Sequence, residues 1–372
     1  MRTVRMTTLI AAIALMVFAA APLRTYAQGT VYLRAVHFLT DAPNVDIYVD
    51  GKAVLTNLGY QDATTYTQLT PGKHVINFGV AGKTVGGPAT DLTLDAAAGD
   101  LCTFVLSGTM ASKVPNIYLT SESGLAKAAN LTLDNTSMPL LFVQAVKDAG
   151  DVDVYVGDKK VGTAKSGDSM LAIIPYGPYT LKVTPAGKPD TILKDTAGIA
   201  MNNVLGVLGM TGTLDKLSLD YAYSAPSDAV TFLVAQKSLP VSFNALLKAV
   251  DAAKLGDTLV GPGPLTLFAP SDDAFAAVQP AGTVDKLEAD PTLIGNVIKY
   301  HILGETVTFA DIFTMVAGGT SKKTLNGQDM IIKIGDKGTI FGGTQATMLA
   351  YNIHTTNAVI HLINAVLMPP TN

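Results

Sequence analysis

Two spacings of apolar residues divide the chain. Over residues 28–223 they come in short runs bounded by Gly, Pro and Asn, and helical periodicity is weak. In Val45-Asp46-Ile47-Tyr48-Val49-Asp50, one strand face carries Val45, Ile47 and Val49. The other carries Asp46, Tyr48 and Asp50, which reads as a solvated face. Asp50-Gly51 supplies a hairpin turn, and Pro71-Gly72 precedes a further short strand, His74-Val75-Ile76-Asn77-Phe78. Several short strands of this kind predict antiparallel β-sandwich structure. After residue 230 the spacing changes. Phe243, Leu246, Leu247, Val250 and Ala253 mark one face of a helix, with Ser242 as its expected N-cap. Leu265-Thr266-Leu267-Phe268 reads as a strand, and Ser271 caps a new helix with Asp272 and Asp273 at its positive end. Leu293, Ile294, Val297, Ile298 and His301 continue a helical face, Asn326-Gly327 opens a hairpin, and residues 359–367 form a last strand. Helices followed by antiparallel strands predict an α+β domain.

The β-rich part repeats itself. Val45-Asp46-Ile47-Tyr48-Val49 returns as Val152-Asp153-Val154-Tyr155-Val156, at an offset of 107. Arg34-Ala35-Val36 aligns with Gln144-Ala145-Val146, and Ala81-Gly82-Lys83 with Ala186-Gly187-Lys188, at offsets of 110 and 105. Matches in one order on a drifting diagonal indicate an internal duplication.

The quoted residues carry two family resemblances. Arg34-Ala35-Val36-His37, Asp41-Ala42-Pro43 and the strand from Val45 to the Gly51 turn resemble a bacterial secreted β-sandwich family known only as a domain of unknown function. On the 110 offset, the second copy has Lys147 in place of His37. That resemblance implies an envelope or extracellular location and no known chemistry. The C-terminal part resembles a fasciclin-type domain, a module of secreted adhesion proteins. It does so through residues 266–275 (Thr-Leu-Phe-Ala-Pro-Ser-Asp-Asp-Ala-Phe), Tyr300-His301 and residues 357–367 (Asn-Ala-Val-Ile-His-Leu-Ile-Asn-Ala-Val-Leu). Ala358 stands where that family usually has Gly, and Asn364 where it usually has Asp. In animal members an Asp-Ile just before the last block is linked to integrin adhesion; here the pair is Asn352-Ile353, without the charge. The resemblance therefore implies adhesion in general and no integrin-type role.

The first residues add a location. Arg2 and Arg5 precede a nearly apolar run over residues 6–21, Pro22 ends it, and Thr25-Tyr26-Ala27 offers a small residue for cleavage. That is the order of a secretory signal peptide, and the run is short for a membrane span. The expected division is a signal peptide (1–27), β-sandwich repeats (28–123 and 139–223) joined by a linker (124–138), a second linker (224–229) and a fasciclin-like domain (230–370). The fold class is thus multidomain: two antiparallel β-sandwich repeats followed by an α+β fasciclin-like domain.

Composition removes several function classes. Charged residues are 15% of the 372, well below the ~25% usual for soluble chains. With 26 basic and 30 acidic residues and no dense Lys/Arg patch, nucleic-acid binding is not indicated. A single cysteine, Cys102, excludes an internal disulfide and argues for a buried thiol. No nucleophile elbow, P-loop or dinucleotide fingerprint occurs. Ser166 and Ser169 lie near acids but have no local His. Asp46 and Asp50 stand ~13 Å apart along a strand, too far for one calcium ion. His354 and His361, an odd number of residues apart, would face opposite ways on one continuous strand. Asn130 and Asn135 begin glycosylation sequons.

These readings predict no catalytic residues, no metal and no cofactor. Tyr300 and His301 are the candidate binding residues, by resemblance. The expected function is secreted or cell-surface adhesion. Its expected partner is a cell-surface or matrix protein or a polysaccharide, or a second copy of the chain. Two alternatives stand beside it: an extracellular carrier of a small ligand or glycan, and a secreted hydrolase using His301 or His361.

Overall fold

A computed structural model describes residues 29–39, 41–83, 91–108, 116–121, 137–202, 204–225, 227–237, 239–335 and 338–370. The expected signal peptide (1–27), nearly all of the 124–138 segment and the asparagines of both sequons lie outside these residues.

The first unit comprises β1 (Val31–Leu39), β2 (Val45–Val49), β3 (Lys52–Leu58), β4 (Asp62–Ala63), β5 (Thr67–Leu69), β6 (Gly72–Val80), β7 (Leu92–Ala96), β8 (Leu101–Gly108) and β9 (Asn116–Ser121). One sheet has the order β4-β1-β8-β9, with β5 also on β1; the other is β3-β2-β6-β7. The predicted turn between β2 and β3 places Asp50 and Gly51 at φ 51° and 78°, the left-handed pair a tight hairpin requires. Cys102 is buried in β8 and forms no disulfide.

The second unit comprises β10 (Ser137–Gln144), β11 (Val152–Val156), β12 (Lys159–Ala164), β13 (Ser169–Pro175), β14 (Gly177–Pro185), β15 (Lys194–Ala200), β16 (Leu205–Thr213) and β17 (Lys216–Ser224). Its sheet orders, β13-β10-β16-β17 and β12-β11-β14-β15, follow the order of the first unit. One expectation fails in both units. The sheets are not wholly antiparallel, because β1 pairs with β8, and β10 with β16, in parallel. Between those strands the chain runs through the opposite sheet and through an antiparallel neighbour on its own, β4 and β5 or β13, the long crossover a parallel pair needs.

The facing of side chains corrects the alignment of the two units. Val31, Leu33 and Ala35 point into the first unit's own core, and Met138, Leu140 and Phe142 into the second's. Val36 and Phe38 point outward and pack on Leu141 and Val143, with Ala63, Val105, Leu171, Val207 and Ala222 completing an apolar seam between units. This facing is consistent with one offset of 107 for both β1 and β2. An offset of 110 would turn every side chain of the first strand to the wrong face. On that offset His37 aligns with Gln144 instead of Lys147, and Arg34 with Leu141. Gly209 leaves room for the seam: a Cβ there would meet Phe38 at 2.6 Å.

The Asp of the repeated strand is also misread as solvated. Asp46 and Asp153 are 6% and 2% exposed. Asp46 accepts from the N–H of Asn57 (2.8 Å) and of Gly82 (2.9 Å). Asp153 accepts from Gly187 N–H (3.0 Å) and Thr163 Oγ1 (2.7 Å), and pairs with Lys160 (2.6 Å). Each carboxylate pins the Ala-Gly-Lys turn of its own unit, which is why the two sequence motifs travel together.

The third unit contains α1 (Ala229–Ala235), α2 (Asn244–Ala252), α3 (Gly256–Val260), β18 (Leu265–Pro270), α4 (Asp272–Ala276), α5 (Thr283–Glu288), α6 (Pro291–Tyr300), β19 (Ile302–Leu303), α7 (Phe309–Gly318), β20 (Ser321–Lys323), β21 (Asp329–Gly335), β22 (Gly338–Phe341), β23 (Thr344–Ala346), β24 (Met348–His354) and β25 (Ala358–Ile363). Ser271 caps α4 as expected. Ser242 does not cap α2: it donates to Asp272 Oδ2 (2.7 Å), and Asp272 Oδ1 accepts the Ala245 N–H (2.8 Å), so the cap comes from the first residue of α4.

The third unit is not hung from a free spacer. Strand β17 pairs in parallel with β24, so one sheet runs β13-β10-β16-β17-β24-β25-β18-β19 across both units. Within residues 224–229, Ala225 N–H bonds His354 O, Ser227 O accepts Thr356 N–H and Asp228 caps α1. The second unit's core runs on without a break to Phe232, Phe243 and Leu246. A separate core around Phe268, Tyr300, Met330 and Phe341 lies against the sheet β20-β21-β22-β23.

Candidate functional site

Tyr300 and His301 stand at the end of α6, and both are fully buried. His301 Nδ1 donates to Val297 O (2.8 Å), and Nε2 accepts the Leu367 N–H (2.9 Å). Tyr300 Oη donates to Asp329 O at 3.4 Å, and its ring lies so close to Gly342 that a Cβ there would overlap the hydroxyl. His361 is held in the opposite tautomer. Its Nε2 donates to Val307 O (2.9 Å), and Nδ1 accepts the Asn352 N–H (3.5 Å). Burial drives both imidazoles down to about 4, so each is neutral near pH 7. The structure brings neither to an open surface. His354 and His361 lie on adjacent paired strands, β24 and β25, not on one continuous strand. Among the described residues, no group of three or more His, Cys, Asp or Glu side chains could hold a metal ion.

What the chain does bring together is the meeting point of all three units. Arg34, fully buried, donates to Thr103 in its own unit and to Leu205 O (3.1 Å) and Ser224 Oγ (2.9 Å) in the second. Gln61 Nε2 donates to Asp220 Oδ1 (3.0 Å), whose carboxylate also accepts from Thr211 and Ser218. Asp62 reaches the third unit. Its Oδ1 accepts from Asn352 Nδ2 (2.7 Å) and His354 Nε2 (3.2 Å). Asn352 Oδ1 in turn accepts the Phe309 N–H (2.7 Å) at the start of α7. The amide at 352 thus donates to a carboxylate and accepts from a backbone N–H; an aspartate could not make that donation.

Beside this junction lies a cleft of about 750 Å³ between the first and third units. Residues 56–59 and 62–65 form one wall; residues 305–308, the exposed side of α7 and Lys322 form the other. Asp62 and His354 lie at its base, with side chains 4% and 17% exposed. The lining is dominated by Thr hydroxyls and Asn amides. Glu305 is paired with Lys322 (2.6 Å), and Asp311 closes the capping box of α7 with Thr308.

Reading the sequence singled out Asn352 as a departure from pattern, and that position proves to be the third unit's handle on the first. Asp62 carried no local signal, because its partners lie 290 and 292 residues away.

Comparison with known proteins matches two parts of the chain. Residues 241–369 match the family model for the fasciclin domain, and residues 31–137 match a domain of unknown function, DUF4397. The chain is similar to protein sll1483 of Synechocystis, with 33% identity over 149 residues, covering 39% of this chain and 78% of that one. It is similar to the cell surface glycolipoprotein MPB83 of Mycobacterium bovis, 29% identical over 199 residues, covering 54% of this chain and 81% of the other. The pig transforming growth factor-beta-induced protein ig-h3 is 32% identical over 130 residues, which is 35% of this chain but only 18% of that longer protein. Among the described residues no helix is long and apolar enough to cross a membrane.

Proposed function

The chain belongs to the fasciclin-domain family, and on that premise we propose that it is an exported, non-enzymatic binding protein of the cell surface or matrix. The export signal is residues 1–27, and the two β-units are copies of one sandwich module. In this reading the first unit is docked by Arg34, Gln61 and Asp62, so the modules present their faces in fixed relation. Contacts too weak singly then add because the linkage between them is short and stiff.

The observation that carries this reading is the commitment of both fasciclin-unit imidazoles. A general base must have a ring nitrogen within reach of substrate. Each nitrogen of His301 and His361 is already bonded to backbone in the core. A hydrolase built on either residue would first have to dismantle that core. Tyr300 and His301 then serve by holding the end of α6 against Asp329 at the start of β21 and against Leu367 beyond β25.

The test is retention of the mature protein on cell-wall material, on polysaccharide and on itself, against an unrelated secreted protein of similar charge. Retention on at least one surface is expected. Equal behaviour of the two proteins everywhere would remove the proposal.

A further inference from the structure

We propose that the cleft between the first and third units is a binding site for a neutral, polyhydroxylated ligand, a segment of oligosaccharide. This rests on the reading of the protein as a binding protein and names the chemistry of one site within it.

The base of the cleft is built for a donor. The Asp62 side chain is 4% exposed, yet only its Oδ1 has partners among the described residues. Oδ2 turns toward Gly59, where a Cβ would sit 2.9 Å from it. Glycine at 59 therefore keeps open the approach to an acceptor that the protein leaves unmatched. Around it, the hydroxyls of Thr56, Thr65, Thr306 and Thr320 line the walls, and none is hydrogen-bonded within the described residues. Each can both donate and accept.

That inventory selects the ligand class. An anion would meet Asp62, Asp311 and Glu305 against the single lysine Lys322. An apolar ligand would strand the free hydroxyls and a carboxylate oxygen. A cation would satisfy Asp62 but can only donate, while Glu305 and Asp311 are already occupied by Lys322 and Thr308. A sugar hydroxyl donates to the carboxylate and exchanges bonds with threonine hydroxyls. At about 750 Å³ the space falls within the ~300–1,000 Å³ of small-molecule sites.

The experiment is calorimetric titration of the mature protein with cellotetraose, chitotetraose, maltotetraose and mannotetraose, and with tetralysine. Gly59→Ala and Thr306→Val are run alongside, with thermal unfolding to confirm that each variant folds. At least one tetrasaccharide should bind, and each variant should weaken it about tenfold, the loss of one hydrogen bond to a charged or polar partner. Binding of no saccharide, binding unchanged in both folded variants, or binding of tetralysine alone would each overturn the assignment. Surface retention that survives Gly59→Ala would defeat the cleft and leave the binding reading standing. Absence of retention by the unmodified protein would defeat that reading itself.

Discussion

The two β-units solve one problem with different side chains and then part company at a neighbouring position. In the first, His37 Nδ1 accepts the N–H of Leu39 (3.1 Å), and Nε2 donates to Pro43 O (3.2 Å). In the second, Gln144 Oε1 accepts the N–H of Val146 (2.6 Å), and Nε2 donates to Gly150 O (2.6 Å). The partners lie two and six residues on in both cases. An imidazole and an amide each offer one acceptor and one donor at this spacing, so the latch that closes the β1–β2 or β10–β11 connection survives the exchange. Three residues earlier the units diverge. Arg34 reaches into the second unit, while its counterpart Leu141 packs in the apolar seam. The latch belongs to each unit alone. Arg34 is held in its own unit by Thr103, and its other donors are spent on the second unit.

The largest expected effect comes from erasing that difference. Arg34→Leu copies the second unit's residue and leaves Thr103, Leu205 O and Ser224 without their charged donor. It should cost about 3 kcal/mol in denaturant unfolding, as when a buried charge-assisted bond is broken. A cost below about 0.5 kcal/mol would show that the arginine contributes nothing to docking.

Next comes the seam. Gly209→Val forces a side chain toward Phe38, which a Cβ alone would approach to 2.6 Å. Overpacking of this kind costs roughly 1–3 kcal/mol and should loosen the first unit without melting the second. Hydrogen exchange in β1 and in β11 separates those outcomes.

Gln144→Ala should cost a comparable 1–3 kcal/mol, because the Val146 N–H and the Gly150 carbonyl lose their partner. His37→Gln should be nearly neutral at pH 7, within about 0.5 kcal/mol, since the second unit already runs on glutamine.

The same pair differs in acid. Burial lowers the His37 pKa, against the opposing pull of Pro43 O and Asp62, and Tyr60 packs edge-on to its ring. A histidine with a depressed folded pKa contributes its full stability above the unfolded value near 6.5. It loses that stability as pH falls through the folded value. The difference in unfolding free energy between the unmodified chain and His37→Gln should therefore change as pH drops below ~6.5, by at most ~1.4 kcal/mol per pH unit. His301 and His361 titrate in both proteins and cancel in that difference. Parallel pH profiles would show that His37 is not held neutral.

Much of this was legible in the sequence, for reasons that can be stated by residue. Alternation in residues 45–49 and the Asp50-Gly51 turn were local signals and gave the strands and the hairpin. The helical stripe from Phe243 to Val250 likewise placed α2. The alignment of β1 was missed because Gln144-Ala145-Val146 looks like Arg34-Ala35-Val36 letter by letter. Only the facing of side chains reveals that Gln144 does the work of His37. Asp46 and Asp153 read as solvent-facing because alternation alone cannot see the turns folded back over them. Helix α7 and strand β24, which build the junction and the cleft, went unread. Asn352, Asp62 and Arg34 acquire their roles from partners in other units, which no local pattern encodes.

The claim on which the account turns is that the units are docked as one body around the Arg34–Asp62 junction. Small-angle X-ray scattering of the protein and of its Arg34→Leu variant tests it directly. The unmodified chain should reproduce the profile calculated for the docked arrangement, and the variant should show a larger radius of gyration. An extended, bead-like profile for the unmodified chain, or identical profiles for the two, would contradict it.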